Sequence, residues 1–328
     1  MANMKIFGFK KRPLKHILFV LIFFIFLGLL ILVTFLPMNG AIDYQLYNQC
    51  LINGGYLDWE PGMNLICSFT AQFSPSWAVT IPRFTSLVIL AITAYLIGKR
   101  FSISSSFFFI LLNGFQMLGA YRQGYATILL CFAILAIAER KRIQGWLTLL
   151  AAVTFHFSSV LMFFIVLYAK YSKIWISIVA VLLLLFIDPL ISLFLGLGII
   201  PDAVLYRYIN LANTPLPVNE YLQLGKLWYL IYYSTFLIML FRYFRDNRFD
   251  NLRKIYIAFL PLIFAVLILT IMGSWIAVRL SSLTNPIELL FFVKSASNFQ
   301  KLFMLVSYIV RTGVAFLNFF IFNGVMFN

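Results

Sequence analysis

The sequence has little charge and no polar run long enough to form a soluble domain. Charged residues make up 11% of its 328 residues, hydrophobic residues make up 63%, and the mean hydropathy is +0.97. Soluble domains carry about 25% charged residues, so this composition excludes one. The apolar runs also lack the strict polar–apolar alternation of membrane β-barrel strands. We therefore predict an all-α, polytopic integral membrane protein, with residues 1–328 forming a single transmembrane domain.

The motifs of metal and nucleotide chemistry are also missing. The sequence contains no HExxH zinc site, GxSxG elbow, Walker loop or CxxC pair, so we expect no metal and no cofactor. Its three cysteines lack metal-ligand spacing; Cys50 and Cys67 could pair, but the sequence favours single buried thiols. The net charge of +15 lies in loops between apolar runs, which is typical of orientation signals and not of nucleic-acid binding.

The apolar runs predict about 11 membrane segments, some of them short or broken, with the N-terminus in the cytoplasm. The first segment, Ile17–Leu36, follows a basic start and lacks the cleavage site of a signal peptide. The next three are predicted at about Ile81–Gly98, Ser105–Gly119 and Gly124–Ala138. Two mixed regions, about residues 37–80 and 188–226, are predicted to lie on the outer surface.

One stretch, residues 121–159, holds polar residues close to hydrocarbon. Arg122 and Gln123 begin one apolar run, His156 lies near the end of the next, and the elbow Glu139–Arg142 separates them. A helix break at His156 leaves far more lysines and arginines on the cytoplasmic side than an unbroken helix would, as the positive-inside rule requires. At about 1.5 Å per residue, the break places His156 below the outer surface. Because non-helical backbone at that depth must be buried in protein or line a cavity, we predict an outward-facing cavity with His156 on its floor.

Several basic residues are predicted on the outer side, where the orientation rule does not explain them. They are Arg83, Arg122, Arg207, Lys226, Arg279 and Arg311. The planar fork of arginine matches phosphate oxygens, so Arg122, Arg279 and Arg83 are candidates for binding an anionic, lipid-linked ligand. The alternative is that these arginines snorkel or pair with nearby carboxylates, which is the interpretation kept for the remaining three.

Candidate acid–base groups lie in the same outer regions. His156 could donate to a phosphate or transfer a proton near neutral pH, or it could be a packing residue. Asp43 and Glu60 are the outer carboxylates nearest the second segment, and either could accept a proton from an attacking hydroxyl or simply cap a helix. Glu60 precedes Pro61, which suits the first turn of a helix. Glu288 lies inside an apolar run and must face protein or a cavity; its role is left open.

The order of these residues resembles the EpsG family, which groups with Wzy-type polysaccharide polymerases. The resemblance rests, in chain order, on Asp43-Tyr44, Glu60-Pro61-Gly62, Tyr121-Arg122-Gln123, His156-Phe157-Ser158 and Arg279. It covers most of the chain, although Phe157 stands where the family often has a proline. The resemblance implies a glycosyltransferase of the GT-C kind in a bacterial plasma membrane.

Such polymerases join oligosaccharide repeat units into O-antigen, capsule or exopolysaccharide on the outer face of the membrane. A hydroxyl of one undecaprenyl-diphosphate-linked oligosaccharide, the acceptor, attacks the anomeric carbon of another, the donor, and undecaprenyl diphosphate leaves. For this reaction we expect Arg122, with one or both of Arg279 and Arg83, to hold the diphosphate, and His156 to donate to it or orient it. Glu60 or Asp43 would accept the attacking proton or orient the acceptor, so the catalytic candidates are Glu60, Asp43 and His156, with Gln123, Tyr121 and Ser158 as their neighbours.

The resemblance also implies partners. These are the two lipid-linked oligosaccharides, membrane lipids and a chain-length regulator. Two other functions remain open. A flippase or exporter of lipid-linked oligosaccharides would also need a cationic interior, but flippases commonly show two related halves, which this sequence lacks. A membrane acyltransferase that modifies glycans would take its acyl donor from the cytoplasm, opposite the predicted site.

Overall fold

A computed structural model describes residues 28, 31, 49–54, 60–119, 121–184, 220–247, 251–271 and 275–322. Within these ranges the chain is helical, and no strand occurs. The helices are α1 (Pro61–Thr70), α2 (Pro75–Arg100), α3 (Ile103–Gly119), α4 (Tyr121–Ala138), α5 (Arg142–Phe155), α6 (Val160–Ala169), α7 (Ile174–Leu184), α8 (Glu220–Asp246), α9 (Asn251–Ile271), α10 (Trp275–Lys294) and α11 (Asn298–Phe322).

Among the described residues, three helical stretches are long and apolar enough to cross a membrane. They are Pro75–Arg100, Lys226–Asp246 and Leu252–Ile271. Shorter apolar helices occur at Ile103–Gly114, Arg122–Ala138 and Val160–Ala169. Large apolar side chains such as Trp77, Phe84 and Phe164 lie exposed on these helices, as lipid contact requires. The chain is therefore a multi-pass membrane protein. Apart from residues 28 and 31, the predicted first segment lies outside the described residues, and the total of about 11 segments stays a prediction.

The helix boundaries follow local sequence signals. α2 begins at Pro75, ahead of the predicted Ile81, because proline is favoured in the first turn of a helix. It ends at Lys99 and Arg100, two cations in its last turn. In the second predicted outer region, residues up to 219 lie outside the described residues, and α8 already begins at Glu220.

The predicted helix break at His156 is present. α5 ends at Phe155, and His156 has an extended backbone with φ −153° and ψ 116°. A 3₁₀ turn, Phe157–Ser159, then leads into α6. α4 and α5 form a closely packed hairpin, because Gly145 lies against Ile137 where a side chain would not fit. The break therefore lies at the far end of α5 from the elbow.

A cluster of charged residues joins the ends of α2, α4 and α10. The Glu139 carboxylate, just after α4, pairs with Arg100 of α2 and lies 3.4 Å from the ammonium of Lys294 in α10. The Lys294 ammonium also lies 5.0 Å from the centre of the Phe101 ring. The sequence predicts that this end of the bundle is cytoplasmic. The start of α4 and the end of α5 lie at the opposite end of the bundle.

The core surrounds α10, which packs against α3, α4, α9 and α11. Aromatic rings fill it: Phe108 of α3 stacks on Phe292 of α10 with ring centres 4.2 Å apart. Tyr308 of α11 meets Phe108 edge-on at 5.3 Å. Such geometries are the favoured ones for aromatic pairs, so the bundle is fixed around α10 by ring packing.

The expectation of single buried thiols is wrong for Cys50 and Cys67, which form a disulfide. Their Cα atoms lie 5.5 Å apart although they are 17 residues apart in sequence, because residues 49–53 are helical and fold back on α1. Closing a loop of this length restricts the unfolded chain by roughly 3 kcal/mol in the loop-entropy model. Cys131 is a free, buried cysteine, as expected. Sequence spacing could not show that Cys50 and Cys67 lie close together, since their distance depends on how two helical segments pack.

Candidate functional site

Glu60 joins Arg122 and His156 into one cluster. The Nη1 group of Arg122 donates to Oε2 of Glu60 at 2.8 Å, and Nδ1 of His156 lies 3.0 Å from Oε1. The three side chains come from different elements: the residue before α1, the first turn of α4, and the break after α5. Separations of 62 and 96 residues in sequence are closed by the fold.

The first turn of α1 places Glu60 at this position. The Glu60 carbonyl accepts the backbone N–H groups of Met63 and Asn64, both at 3.0 Å, so Glu60 caps the helix. Gly62 faces the last turn of α5, where an added Cβ would lie 2.9 Å from Oγ1 of Thr154 and 3.3 Å from the Phe155 ring. The absence of a side chain at Gly62 therefore lets α1 come close enough for Glu60 to reach His156.

The Glu60 carboxylate is buried and ionised. The residue is 5% exposed, and a buried carboxylate needs paired partners. Burial by itself raises the pKa of Glu60, but the hydrogen bond with His156 and the charge of Arg122 outweigh it and hold the pKa below its ordinary value. The side chains of Arg122 and His156 keep 14% and 18% exposure, so both are only partly buried.

The Glu60 contact fixes the orientation of the imidazole. An ionised carboxylate accepts hydrogen bonds and donates none. Nδ1 of His156, which faces it, therefore carries the hydrogen, and in the neutral ring Nε2 is the nitrogen with a free electron pair. This arrangement gives His156 the form of a base whose tautomer is set by a carboxylate.

The predicted neighbours are placed differently. Gln123 follows Arg122 on α4; its Nε2 donates to the hydroxyl of Ser282 on α10, and its backbone carbonyl accepts from Thr127 at 2.7 Å. Ser158 lies partly exposed in the turn after His156. Tyr121 belongs to α4, but its side chain lies outside the described residues. Gln123 thus connects the start of α4 to α10.

Arg83 is buried on α2, with 5% of the residue exposed. Ser86, one turn further along α2, shares a hydrogen bond of 2.9 Å with the Tyr125 hydroxyl on α4. The Tyr125 ring lies 5.5 Å from the ring of Phe155, the residue before His156. Because residues three apart share a helix face, the face of α2 that carries Arg83 is turned towards α4.

Three other predicted residues add nothing to this geometry. Asp43 and Arg207 lie outside the described residues. The backbone of Arg279 belongs to α10, but its side chain also lies outside what the structure describes. Their roles therefore stay predictions.

A second polar cluster, which the sequence left open, surrounds Glu288 on α10. Its two carboxylate oxygens accept hydrogen bonds from the hydroxyl groups of Tyr232 at 2.6 Å, Tyr308 at 2.5 Å, Thr284 at 2.5 Å and Tyr233 at 3.3 Å. Glu288 is fully buried, so these donors replace the water that the carboxylate has lost. The cluster joins α8, α10 and α11.

Arg311, which the sequence analysis assigned a structural role, completes this second cluster. Its guanidinium donates to the Tyr308 hydroxyl at 3.0 Å and to the Ser281 hydroxyl at 2.9 Å. It also lies 4.3 Å from the centre of the Tyr229 ring. A sequence signal for this cluster existed: the polar residues Ser281, Thr284, Asn285 and Glu288 recur at helical spacing within an apolar run.

Comparisons with known proteins give one match. The model of the EpsG family matches residues 10–328. No curated protein and no solved structure matches. The matched range contains Glu60, Arg122 and His156.

Proposed function

This chain belongs to the EpsG family, which indicates a role in exopolysaccharide biosynthesis, and we propose that it polymerises undecaprenyl-diphosphate-linked oligosaccharide repeat units. The observation that carries the proposal is the double contact of Glu60 with Arg122 and His156. It brings a guanidinium, which is suited to bind phosphate, and an imidazole, which is suited to accept a proton, to the two oxygens of one carboxylate. A transfer between two lipid-linked sugars requires both.

Arg122 binds the diphosphate of the donor in this proposal. As the glycosidic bond to phosphate breaks, negative charge develops on the leaving diphosphate, and a fixed guanidinium in a low-dielectric site stabilises it. Arginine has five N–H donors, so Arg122 can hold Glu60 and a phosphate oxygen at once. The buried Arg83 and the α10 residue Arg279 are the proposed additional cations.

His156 is the proposed base. Its Nε2 accepts the proton from the attacking hydroxyl of the acceptor while that oxygen forms a bond to the anomeric carbon of the donor. The bond from the same carbon to the diphosphate breaks, and the diphosphate leaves with the electron pair. Glu60 fixes the tautomer and stabilises the imidazolium that forms. This assigns Glu60 an orienting role and makes His156 the group that takes up the proton.

The disulfide supports the outer face as the location of the reaction. Disulfides persist in oxidising compartments and are rare in the cytosol. The Cys50–Cys67 bond lies in the segment that ends on α1, the helix that Glu60 caps. The opposite ends of α2, α4 and α10 carry the lysine- and arginine-rich cluster around Glu139, as cytoplasmic ends do.

A closed assay with purified protein in lipid nanodiscs and a single lipid-linked repeat unit tests the proposal. The wild-type chain should convert the repeat units into a ladder of longer glycans and release undecaprenyl diphosphate. Arg122→Ala should lower kcat/KM by about 10²–10³-fold, the usual loss for one charge-stabilising donor. His156→Ala should lower it by about 10²–10⁴-fold, the usual contribution of a general base.

Arg245→Ala is the matched control. Arg245 pairs with Asp246 at the exposed end of α8, where its side chain is 70% exposed, and this variant should polymerise at the wild-type rate. Full activity of both Arg122→Ala and His156→Ala would exclude this site. Lipid movement across the bilayer without a new glycosidic bond would indicate a flippase instead.

A further inference from the structure

The Cys50–Cys67 disulfide anchors α1 at the end opposite Glu60. Both cysteines are buried. A second contact runs beside the bond, because the Thr70 hydroxyl donates to the Leu51 carbonyl at 3.0 Å. Residues 49–53 and the second half of α1 therefore form one covalently closed unit.

α1 is too short to hold its own position. It contains 10 residues, and isolated helices below about 12–15 residues are only marginally stable in water. Among the described elements its main packing partners are α5 and α2. Its contact with α5 includes the close approach at Gly62, and its Met63 and Cys67 side chains are buried. The disulfide adds a covalent constraint on the angle of α1, because it ties the helix to residues 49–53, where Cys50 and Leu51 are buried in the hydrophobic core.

Glu60 and Cys67 lie at the two ends of one rigid lever. They are separated by about two helical turns, roughly 10 Å along the axis at 1.5 Å per residue. A tilt of α1 about its contact with α5 therefore moves the Glu60 carboxylate away from His156, whose Nδ1 it meets at 3.0 Å. An increase of about 1 Å in this distance weakens the hydrogen bond severely.

We infer that Cys50 and Cys67 are positioning residues of the site: their disulfide sets the tilt of α1, and thereby holds Glu60 on Nδ1 of His156. Polymerisation is then fully active only when this bond is oxidised. The inference rests on the proposed function for its catalytic consequence, but its geometric part concerns Glu60 and His156 alone.

The redox step is a thiol–disulfide exchange. Formation of the bond removes two protons and two electrons from the two thiols, which pass to a disulfide oxidant of the extracytoplasmic compartment. Reduction by a dithiol or a phosphine returns two electrons and two protons and leaves two free thiols. Neither step touches the polymerisation chemistry itself.

The first test reads the tautomer of His156 and requires no substrate. The chain has two histidines, so a His16→Gln protein, labelled with ¹⁵N-histidine, reports His156 alone by NMR. Oxidised protein should show a protonated Nδ1 and an unprotonated Nε2. Reduction with a phosphine, or the double change Cys50→Ser and Cys67→Ser, should shift the imidazole towards the Nε2–H form that free histidine prefers. An unchanged tautomer would overturn the inference.

The second test asks whether the disulfide acts through Glu60. The double serine variant should lower kcat about tenfold or more, with KM changed less than twofold, because Arg122 still binds the diphosphate. In a Glu60→Gln background the same two substitutions should cause no further loss, since residues that act through one another are non-additive. Additive losses in kcat would mean a merely structural bond and would overturn the inference.

Cys131→Ser is the matched control, because Cys131 is a buried free thiol on α4. It should leave the tautomer and the rate unchanged. Alkylation of Cys50 and Cys67 in membranes without reductant would show that the bond is absent and would also overturn the inference. A wild-type protein that shows the expected tautomer shift but makes no polymer would sink the proposed function and leave the positioning role standing.

Discussion

At the scale of single residues, one carboxylate organises the candidate site. Glu60 has two oxygens, and each is directed at a different partner: Oε2 at Arg122 and Oε1 at His156. The same carboxylate therefore controls where a guanidinium points and which imidazole nitrogen is protonated. Its backbone also caps α1, so one residue supplies both the negative charge of the site and the N-terminal cap of the helix.

The pH dependence of stability should show the state of Glu60. Its pKa in the folded protein is lowered from the ordinary value of 4.5, so its stabilising contribution is fully present above the unfolded pKa and is lost as the pH falls through the lower, folded pKa. Replacing it by glutamine should reduce the free energy of unfolding by about 1–3 kcal/mol at neutral pH, because buried donors lose a charged acceptor.

Unfolding midpoints in detergent check this prediction. The difference between the wild type and Glu60→Gln should not narrow between pH 7 and pH 5, and it should shrink below about pH 4.5, the range in which carboxylates titrate. A difference that has already vanished at pH 5 would mean that the carboxylate is not held in its ionised form.

At the scale of elements, the approach of α1 to α5 depends on Gly62. An alanine there would bring its Cβ to 2.9 Å from Thr154 Oγ1, which is shorter than real Cβ contacts, and to 3.1 Å from the Thr154 carbonyl oxygen, which is tighter than most of them. Gly62→Ala should therefore push α1 outward, cost about 1–3 kcal/mol and lower kcat by about tenfold or more, because Glu60 leaves His156.

Gly313→Ala in α11 is the comparison variant for Gly62→Ala, because a Cβ at Gly313 has no atom within 4 Å. Alanine is the better helix former by about 1 kcal/mol, so this variant should be as stable as the wild type or slightly more stable, and equally active. Unfolding midpoints and initial rates of the two variants provide the measurement. Equal behaviour of both would show that α1 is not seated on α5 through Gly62.

The second polar cluster holds α8, α10 and α11 together. Glu288→Ala would leave buried hydroxyls of Tyr232, Tyr233 and Tyr308 without their acceptor, and each unsatisfied buried group costs about 1–3 kcal/mol. We expect a loss of at least about 2 kcal/mol in unfolding free energy. Asp246→Ala, which breaks a pair whose carboxylate is 57% exposed, should cost less than about 1 kcal/mol. Similar losses of unfolding free energy in the two variants would contradict a stabilising role for Glu288.

At the scale of the whole molecule, the cluster around Glu60 and the cluster around Glu139 should face opposite sides of the membrane. Single cysteines at Ser74 and Ser158, in a Cys131→Ser background that keeps the native disulfide, should react with an impermeant maleimide on intact cells. Cysteines at Lys141 and Lys173 should react only after the membrane is opened. Labelling of residue 173 from outside would place the two sides of the His156 break in one spanning helix and invert the predicted topology.

Much of the architecture follows from local sequence. Length and hydropathy predicted the apolar helices, Pro61 predicted the start of α1, and the distribution of lysines and arginines predicted the break at His156, which the structure confirms. These signals are local because a helix satisfies its own backbone and a membrane selects apolar runs directly. The start of α2 was placed late, since the polar residues before Ile81 masked a helix that begins at Pro75.

The contacts between distant residues were decided by the tertiary structure. The sequence supplied Glu60, Arg122 and His156 as separate candidates, and the pairing of one carboxylate with both arose only when α1, α4 and α5 packed. The sequence favoured single thiols over the disulfide between Cys50 and Cys67, and it did not predict the hydroxyl groups that surround Glu288. Side-chain distances depend on helix tilt and on small gaps such as the one at Gly62. A linear sequence records which groups are present, but only packing decides which of them meet.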